Sequence, residues 1–139
     1  MINIRVRLLV QIILVSFGSA LGGLLRWGVS TAAVRWIGAG FPYGTFIINI
    51  SGSFFLGWFS TVLFDRPAIS DRLWLQPADL KLLIAIGFTG AYTTFSTFEF
   101  ETYRMLEDRE GLLGMIYMLG SVLVGLVAVY LGVALARWR

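Results

Sequence analysis

The stretch that decides the fold reads Gly87-Phe88-Thr89-Gly90-Ala91-Tyr92-Thr93-Thr94-Phe95-Ser96-Thr97-Phe98-Glu99-Phe100-Glu101. A run of apolar residues leads into it, and glycines and threonines then interrupt that run. A helix that breaks here leaves main-chain carbonyls without partners inside the helix. Within a membrane such carbonyls are tolerated only in a protein interior or along a cavity, where they can bind a cation. The alternative is a plain kink in which threonine side chains satisfy the backbone.

Composition places this stretch in an integral membrane protein. The chain has 139 residues, of which 58% are hydrophobic and 14% charged, whereas soluble domains average about 25% charged residues. Its mean hydropathy is +0.81. Cysteine and histidine are both absent, which excludes disulfides, Cys/His metal sites and the most common general base. We therefore expect an all-α membrane protein that is not an enzyme.

Four segments are apolar and long enough to cross a bilayer, which takes about 20 residues. They are residues 8–25, 43–64, 82–100 and 112–136, within a single membrane domain covering 1–139. A polar linker, 65–81, separates the second and third segments. The first segment has features of a signal peptide, but the three that follow favour an uncleaved helix. The net charge of +3 shows no basic stripe, so nucleic-acid binding is not expected.

The basic residues are nearly balanced between the two sides of this four-span arrangement. Seven lie on the side of the N-terminus and four on the other. Such a weak bias permits insertion in either orientation, with ordinary insertion, N-terminus inside, as the alternative. Small residues four apart, such as Gly18 and Gly22, predict close helix packing, either within one chain or in a homodimer.

Polar and aromatic residues inside the spans are the candidates for function. Asn49 lies in the middle of the second span, where its amide could face an anion or bond a neighbouring helix. Helical spacing places Phe95 and Phe98 on one face, and their ring edges carry partial positive charge; plain packing is the alternative. Thr97 and Glu101 fall on another face. In the fourth span, Tyr117 and Ser121 share a face, and both hydroxyls can donate hydrogen bonds.

Taken together, these motifs resemble the CrcB/Fluc fluoride channels of bacteria and archaea. The resemblance covers nearly the whole chain and rests on three motifs. These are Gly22-Gly23-Leu24-Leu25-Arg26-Trp27, then Pro42-Tyr43-Gly44-Thr45 through Asn49, and the run Thr93-Thr94-Phe95-Ser96-Thr97-Phe98 followed by Glu101.

The resemblance implies an antiparallel, dual-topology homodimer with two fluoride pores and a third span broken in mid-membrane. It implies a fluoride pathway along Asn49, Phe95, Phe98, Ser96, Thr97, Glu101, Tyr117 and Ser121. It further implies Arg26 in the aqueous vestibule, and a structural Na⁺ at the dimer interface held by the main-chain carbonyls of Gly90 and Thr93. This chain departs from the family pattern at Ala91, Tyr92 and Glu99, which puts the packing around the sodium and the conductance in question.

The expected function is passive export of F⁻ across the inner (plasma) membrane, which lowers fluoride toxicity. Two other classes remain as alternatives: a small dual-topology drug/proton antiporter and a non-transporting membrane assembly subunit. An antiporter of that kind needs a membrane-buried carboxylate, and the first span has none. An assembly subunit leaves Asn49 and the Thr-Phe-Ser-Thr-Phe run unexplained.

Overall fold

The computed structural model describes residues 4–65 and 76–138, and all regular structure in these two ranges is helical. The helices are α1 (Ile4–Trp36), α2 (Tyr43–Asp65), α3, α4 (Phe95–Glu107) and α5 (Gly111–Arg137). We use α3 for the continuous run 77–92, in which Lys81–Thr89 is a π-helix between the short α-helical pieces Pro77–Leu80 and Gly90–Tyr92.

Three of these helices are long and apolar enough to cross a membrane: α1, α2 and α5. The segment predicted as a further span, 82–100, is divided between α3 and α4. Most of the predicted linker 65–81 falls on residues 66–75 and so lies outside the described residues.

Helix α1 continues well past the predicted apolar span 8–25. Nothing between Arg26 and Trp36 stops it, because a lone Gly28 is tolerated inside a helix. The helix ends where Gly38 adopts a φ of 115°, and the N–H groups of Ile37 and Gly38 both donate to the carbonyl of Ala33. A glycine with positive φ is a common helix terminator, since it lacks the Cβ that makes this conformation costly.

Glycines set the two closest helix contacts. A Cβ on Gly18 or Gly22 of α1 would collide with the backbone of α3, at the carbonyls of Leu83 and Phe88. A Cβ on Gly57 of α2 would lie 2.6 Å from the carbonyl oxygen of Val129 in α5, and one on Gly132 would collide with α2 in the same way. The predicted close packing of small residues is therefore present within one chain, between α1 and α3 and between α2 and α5.

The outer surfaces of these helices are apolar. Large hydrophobic side chains are exposed along the full length of α1 and α5, among them Ile12, Phe17, Leu126 and Tyr130. At one end, Arg137 of α5 forms an ion pair with Asp65 of α2, with 2.7 Å between Nη2 and Oδ2. Of the five polar side chains that are buried among the described residues, those of Thr89 and Thr94 lie at the junction of α3 and α4.

Candidate ion pathway at the junction of two helices

Helix α3 stops at Tyr92, and α4 begins at Phe95. Between them Thr93 and Thr94 are extended, with ψ angles of 159° and 116°. Asn49 of α2 bonds the main chain at this point: its Oδ1 accepts from the N–H of Thr94 at 2.9 Å, and its Nδ2 donates to the carbonyl of Thr94 at 3.0 Å. The Asn49 amide thus forms the interhelical bond that was one of its two predicted roles, and keeps one N–H free of this pair.

The junction changes which carbonyls have partners. The carbonyl of Thr89 accepts both the N–H and the hydroxyl of Thr93, each at 2.9 Å, so a threonine side chain does satisfy the backbone there. The N–H of Thr94, which would bond Gly90 in a continued helix, is taken by Asn49. Within residues 4–65 and 76–138, no donor reaches the carbonyl of Gly90 or of Thr93.

The first turn of α4 is capped by Thr94. Its side-chain oxygen accepts the N–H of Thr97 at 3.3 Å, and its hydroxyl donates to the Thr97 hydroxyl at 2.9 Å. Thr94 suits this position because a threonine with extended backbone can satisfy a free N–H at the start of a helix. The N-cap thereby fixes where α4 begins, and with it the directions in which the side chains of Phe95, Phe98 and Glu101 project from that helix.

Glu101 accepts two hydrogen bonds from two other helices. Thr45 of α2 donates to Oε1 at 2.8 Å, and the Tyr117 hydroxyl of α5 donates to Oε2 at 2.9 Å. Tyr117 is only 1% exposed. We call these three side chains the carboxylate network; bonds to an ionised acceptor are roughly twice as strong as neutral ones.

A line of rings runs beside the carboxylate network. Phe95 and Phe98 lie 6.1 Å apart between centroids, Phe98 meets Tyr117 edge to face at 5.2 Å, and Phe41 meets Tyr117 edge to face at 5.3 Å. We call these four residues the aromatic row. Phe98 is buried, whereas Phe95 is 69% exposed on the single chain.

Two cavities share Ser30 and Thr45 in their walls, and one of them reaches the junction at Thr94. One, of about 370 Å³, is lined by Gly23, Arg26, Trp27, Ser30, Thr45, Ile48, Thr94 and Thr97. The other, of about 380 Å³, contains Phe41, Glu101 and Arg104 in its wall. Arg26 therefore lies in the same cavity wall as the threonines of the junction, which gives that cavity a positive charge.

Known proteins match this chain along most of its length. The family described as "CrcB-like protein, Camphor Resistance (CrcB)" matches residues 13–133. The chain belongs to this family.

Individual relatives carry a functional name. The chain is 43% identical over 126 residues to a Synechococcus protein named fluoride-specific ion channel FluC, a match that covers 90% of this chain and 92% of the relative. A Chloroflexus aurantiacus protein of the same name is 38% identical over 128 residues, covering 92% and 96%. One from Geotalea daltonii is 42% identical over 127 residues, covering 91% and 97%. Family membership and the three long apolar helices make this chain a multi-pass membrane protein.

Some of the site residues expected from the CrcB resemblance contact one another, and others do not. Ring contacts connect Phe95 to Phe98 and Phe98 to Tyr117, and a hydrogen bond connects Tyr117 to Glu101. Asn49 bonds the backbone of Thr94. Ser96 is exposed on α4. Ser121 lies one turn along α5 from Tyr117, and its Oγ is buried with no hydrogen-bond partner among the described residues.

Three contributors to this site were not among the expected residues. Thr45 lies one helical turn before Asn49, so its spacing on α2 could have indicated it. Tyr92, noted only as a departure from the family, is buried, and its hydroxyl lies 2.8 Å from that of Ser51. Phe41 comes from the loop between α1 and α2, where no helical periodicity places a side chain.

Proposed function

We propose that the chain forms a passive, fluoride-selective channel in the plasma membrane. F⁻ would leave the cytoplasm down its electrochemical gradient, which would lower the toxicity of fluoride that enters as neutral HF. A negative-inside potential favours the exit of one negative charge by about 2.3 kcal/mol per 100 mV, so no coupling to another energy source is needed. The proposal accords with the name of the relatives in the same family.

The observation that carries the proposal is the position of the aromatic row directly beside hydroxyl donors. Fluoride is small and strongly hydrated, so a selective pore has to replace its water shell in steps. Ring edges of Phe95 and Phe98 would offer weak positive charge, and the hydroxyls of Ser96, Thr97 and Ser121 would offer hydrogen bonds. Tyr117 would line the same pathway with its ring, because its hydroxyl hydrogen is already donated to Glu101. The buried, unpartnered Ser121 hydroxyl is such a free group. The remaining N–H of Asn49 is another candidate contact.

The carboxylate network has a separate role in this proposal. Thr45 and Tyr117 both direct hydroxyl hydrogens at Glu101, which stabilises its negative charge and keeps it from facing the anion unpaired. Arg26 in the adjoining cavity would raise the local concentration of anions before they enter the narrow part.

The site is open on one side in a single chain. Phe95, Ser96 and Thr97 are exposed on α4, although they belong to the proposed pathway. A second copy of the chain would close this side. An antiparallel, dual-topology homodimer would provide such a copy, with four spans in each chain, one of them the broken span.

The orientation of the chain in the membrane can be tested with one cysteine. The chain has no cysteine of its own, so in an Ala39→Cys variant the added thiol in the loop after α1 reports which side of the membrane that loop faces. An impermeant maleimide should label about half of the protein in intact cells; complete or absent labelling would contradict dual topology.

The carbonyls of Gly90 and Thr93 suit a structural Na⁺. Hard cations take oxygen ligands, and these two carbonyls have no donor among the described residues. Gly90 is exposed on the single chain, and a Cβ added there would meet only the Ala85 carbonyl, at 3.8 Å. A second chain could therefore approach this point closely. Thermal unfolding in Na⁺ against N-methylglucamine tests this: Na⁺ should raise the melting temperature, and equal melting temperatures would contradict the site.

Transport by the purified protein in liposomes decides the function. Vesicles loaded with KF should release F⁻ to a fluoride electrode only after valinomycin is added, because passive F⁻ exit must be balanced by K⁺. Vesicles loaded with KCl should release far less Cl⁻. Equal fluxes of the two anions, or no F⁻ release, would refute the proposal. Release that requires a pH gradient would favour the antiporter, and no transport of any kind would favour the assembly subunit.

A further inference from the structure

Phe41 is held in a fixed place in the loop between α1 and α2. Its carbonyl accepts the N–H of Tyr43 at 2.7 Å, and the carbonyl of Pro42 accepts the N–H of Phe46 as α2 begins. The ring of Pro42 restricts the backbone immediately after Phe41. Its neighbour Tyr43 also lies against it, with 4.8 Å between ring centroids. The backbone of the loop is therefore restrained at Phe41, and the Tyr43 ring packs against the Phe41 ring.

That ring lies between a cavity and Tyr117. Phe41 is half-buried and forms part of the wall of the 380 Å³ cavity that also contains Glu101 and Arg104. On its other side it meets Tyr117 edge to face, at an interplanar angle of 83°. Tyr117 meets Phe98 edge to face as well, so two rings hold it in place. The Tyr117 hydroxyl is thereby kept where it donates to Glu101.

We propose that Phe41 is a positioning residue of the ion pathway, which covers Tyr117 on the side of the cavity and keeps its hydroxyl on Glu101. Without this ring, water in the cavity gains access to Tyr117 and competes with Glu101 for the Tyr117 hydroxyl. The inference rests on the proposed function, because it concerns the same pathway. It assigns a role in anion transport to a loop residue outside the expected set.

The size of the effect follows from the ring contact. An edge-to-face pair of this kind changes an equilibrium constant by roughly two- to tenfold. Phe41→Leu keeps an apolar side chain but removes the ring, whereas Phe41→Tyr keeps the ring. Fluoride efflux from liposomes should fall by roughly two- to tenfold in Phe41→Leu, with a lower ratio of fluoride to chloride flux, and should stay near the wild-type rate in Phe41→Tyr.

Phe59→Leu is the matched control. Phe59 also belongs to a ring pair, with Phe55 at 5.9 Å, but it lies on α2 about 20 Å along the helix from Thr45. Fluoride efflux through Phe59→Leu should occur at the wild-type rate. If Phe41→Leu does not fold, Phe41→Met replaces it, because methionine fills irregular space with a flexible apolar chain.

A double-mutant comparison separates positioning from general stability. In a Tyr117→Phe background there is no hydroxyl to position, so Phe41→Leu should have little further effect on the rate. An equal slowing in both backgrounds, or a wild-type rate and selectivity in Phe41→Leu, would overturn the inference. If the wild-type protein carries no fluoride, the proposed function fails and this inference with it. If the wild type carries fluoride and Phe41→Leu carries it at the same rate and with the same selectivity, this inference alone fails.

Discussion

The side-chain amide of Asn49 forms hydrogen bonds with both main-chain polar groups of Thr94, at 2.9 Å to the N–H and 3.0 Å to the carbonyl. This pair replaces the helical bonds that are lost where α3 ends and α4 begins. It also removes the N–H that would otherwise cover the Gly90 carbonyl. One side chain of α2 thus holds the junction together and leaves a carbonyl available there.

Asn49→Ala should destabilise the protein and stop fluoride transport. Both Thr94 groups would lose their partners, and a buried polar group left unpaired costs about 1–3 kcal/mol. Denaturation in mixed micelles measures the loss of unfolding free energy, and the liposome assay measures transport. Asn49→Asp can still accept from the Thr94 N–H but cannot donate to the Thr94 carbonyl, so its unfolding free energy should lie between those of the wild type and Asn49→Ala. An Asn49→Ala variant with wild-type stability would show that these bonds contribute nothing.

Thr45→Val should slow fluoride transport, because it removes one of the two donors to Glu101 while keeping the side-chain shape. A hydrogen bond to a charged group contributes about 1.5–3 kcal/mol, so a decrease in rate of roughly tenfold or more is expected. Thr61→Val is the control, since the Thr61 hydroxyl donates only to the Gly57 carbonyl of its own helix. Equal rates for the two variants would contradict a special role of the carboxylate network.

Tyr92→Phe and Ser51→Ala should destabilise the protein by similar amounts, and the double variant by no more than either alone. The two hydroxyls lie 2.8 Å apart, and that of Ser51 donates to the Ile47 carbonyl at 2.7 Å, so the Tyr92 hydroxyl is the donor between them. Each loss should be about 0.5–1.5 kcal/mol. Unfolding free energies of the wild type, the two single variants and the double variant give the coupling energy between the two hydroxyls.

The control for this cycle is Ser60→Ala on the same helix, since the side-chain hydrogen bonds among the described residues of α2 involve Ser51 and Thr61 but not Ser60. It should change the unfolding free energy little, alone or combined with Tyr92→Phe. Strictly additive losses for Tyr92→Phe and Ser51→Ala would mean that the two hydroxyls do not interact. In that case Tyr92 would hold the end of α3 only through its stacking on Phe88, at 6.0 Å and 9° between the rings.

Gly132→Ala should lower the yield and thermal stability of the protein. The added Cβ would collide with the carbonyl of Phe54 and lie 2.9 Å from the backbone nitrogen of Trp58, so α2 and α5 would have to separate. Gly111→Ala, at the start of the same helix, adds its Cβ to open space and should be neutral. Similar melting temperatures for the two variants would contradict the close approach of the helices.

Much of the architecture follows from local properties of the sequence. Long apolar stretches predict α1, α2 and α5, because such segments have to satisfy their backbone as helices in lipid. The spacing of Gly57 and of Gly132 predicts close contacts, although it does not say which helices meet. The glycine and threonines in residues 89–94 predict an interruption of the third apolar helix, which again depends on local properties of the sequence. The length of α1 was less predictable, since its last turns lie beyond the apolar stretch and depend on a terminating glycine.

The partners of Glu101 cannot be predicted from local properties of the sequence. Helical spacing places Thr97 and Glu101 on one face of α4, but it cannot identify the partners that face them from α2 and α5. Thr45 and Glu101 are 56 positions apart in the chain, and only the packing of the helices brings their side chains to 2.8 Å. Phe41 reaches Tyr117 from a loop, whose course has no periodicity to read.

The sequence by itself determined that this is a helical membrane protein with a polar, aromatic interruption, because hydropathy and backbone satisfaction are local constraints. It also carried the family resemblance, which the match over residues 13–133 bears out. Only the tertiary structure decided that Asn49 bonds the Thr94 backbone, that Glu101 has two hydroxyl donors, and that Phe41 meets Tyr117 edge to face. Each of these depends on the distance between side chains on different elements, and that distance is set by glycine-mediated helix packing and loop geometry.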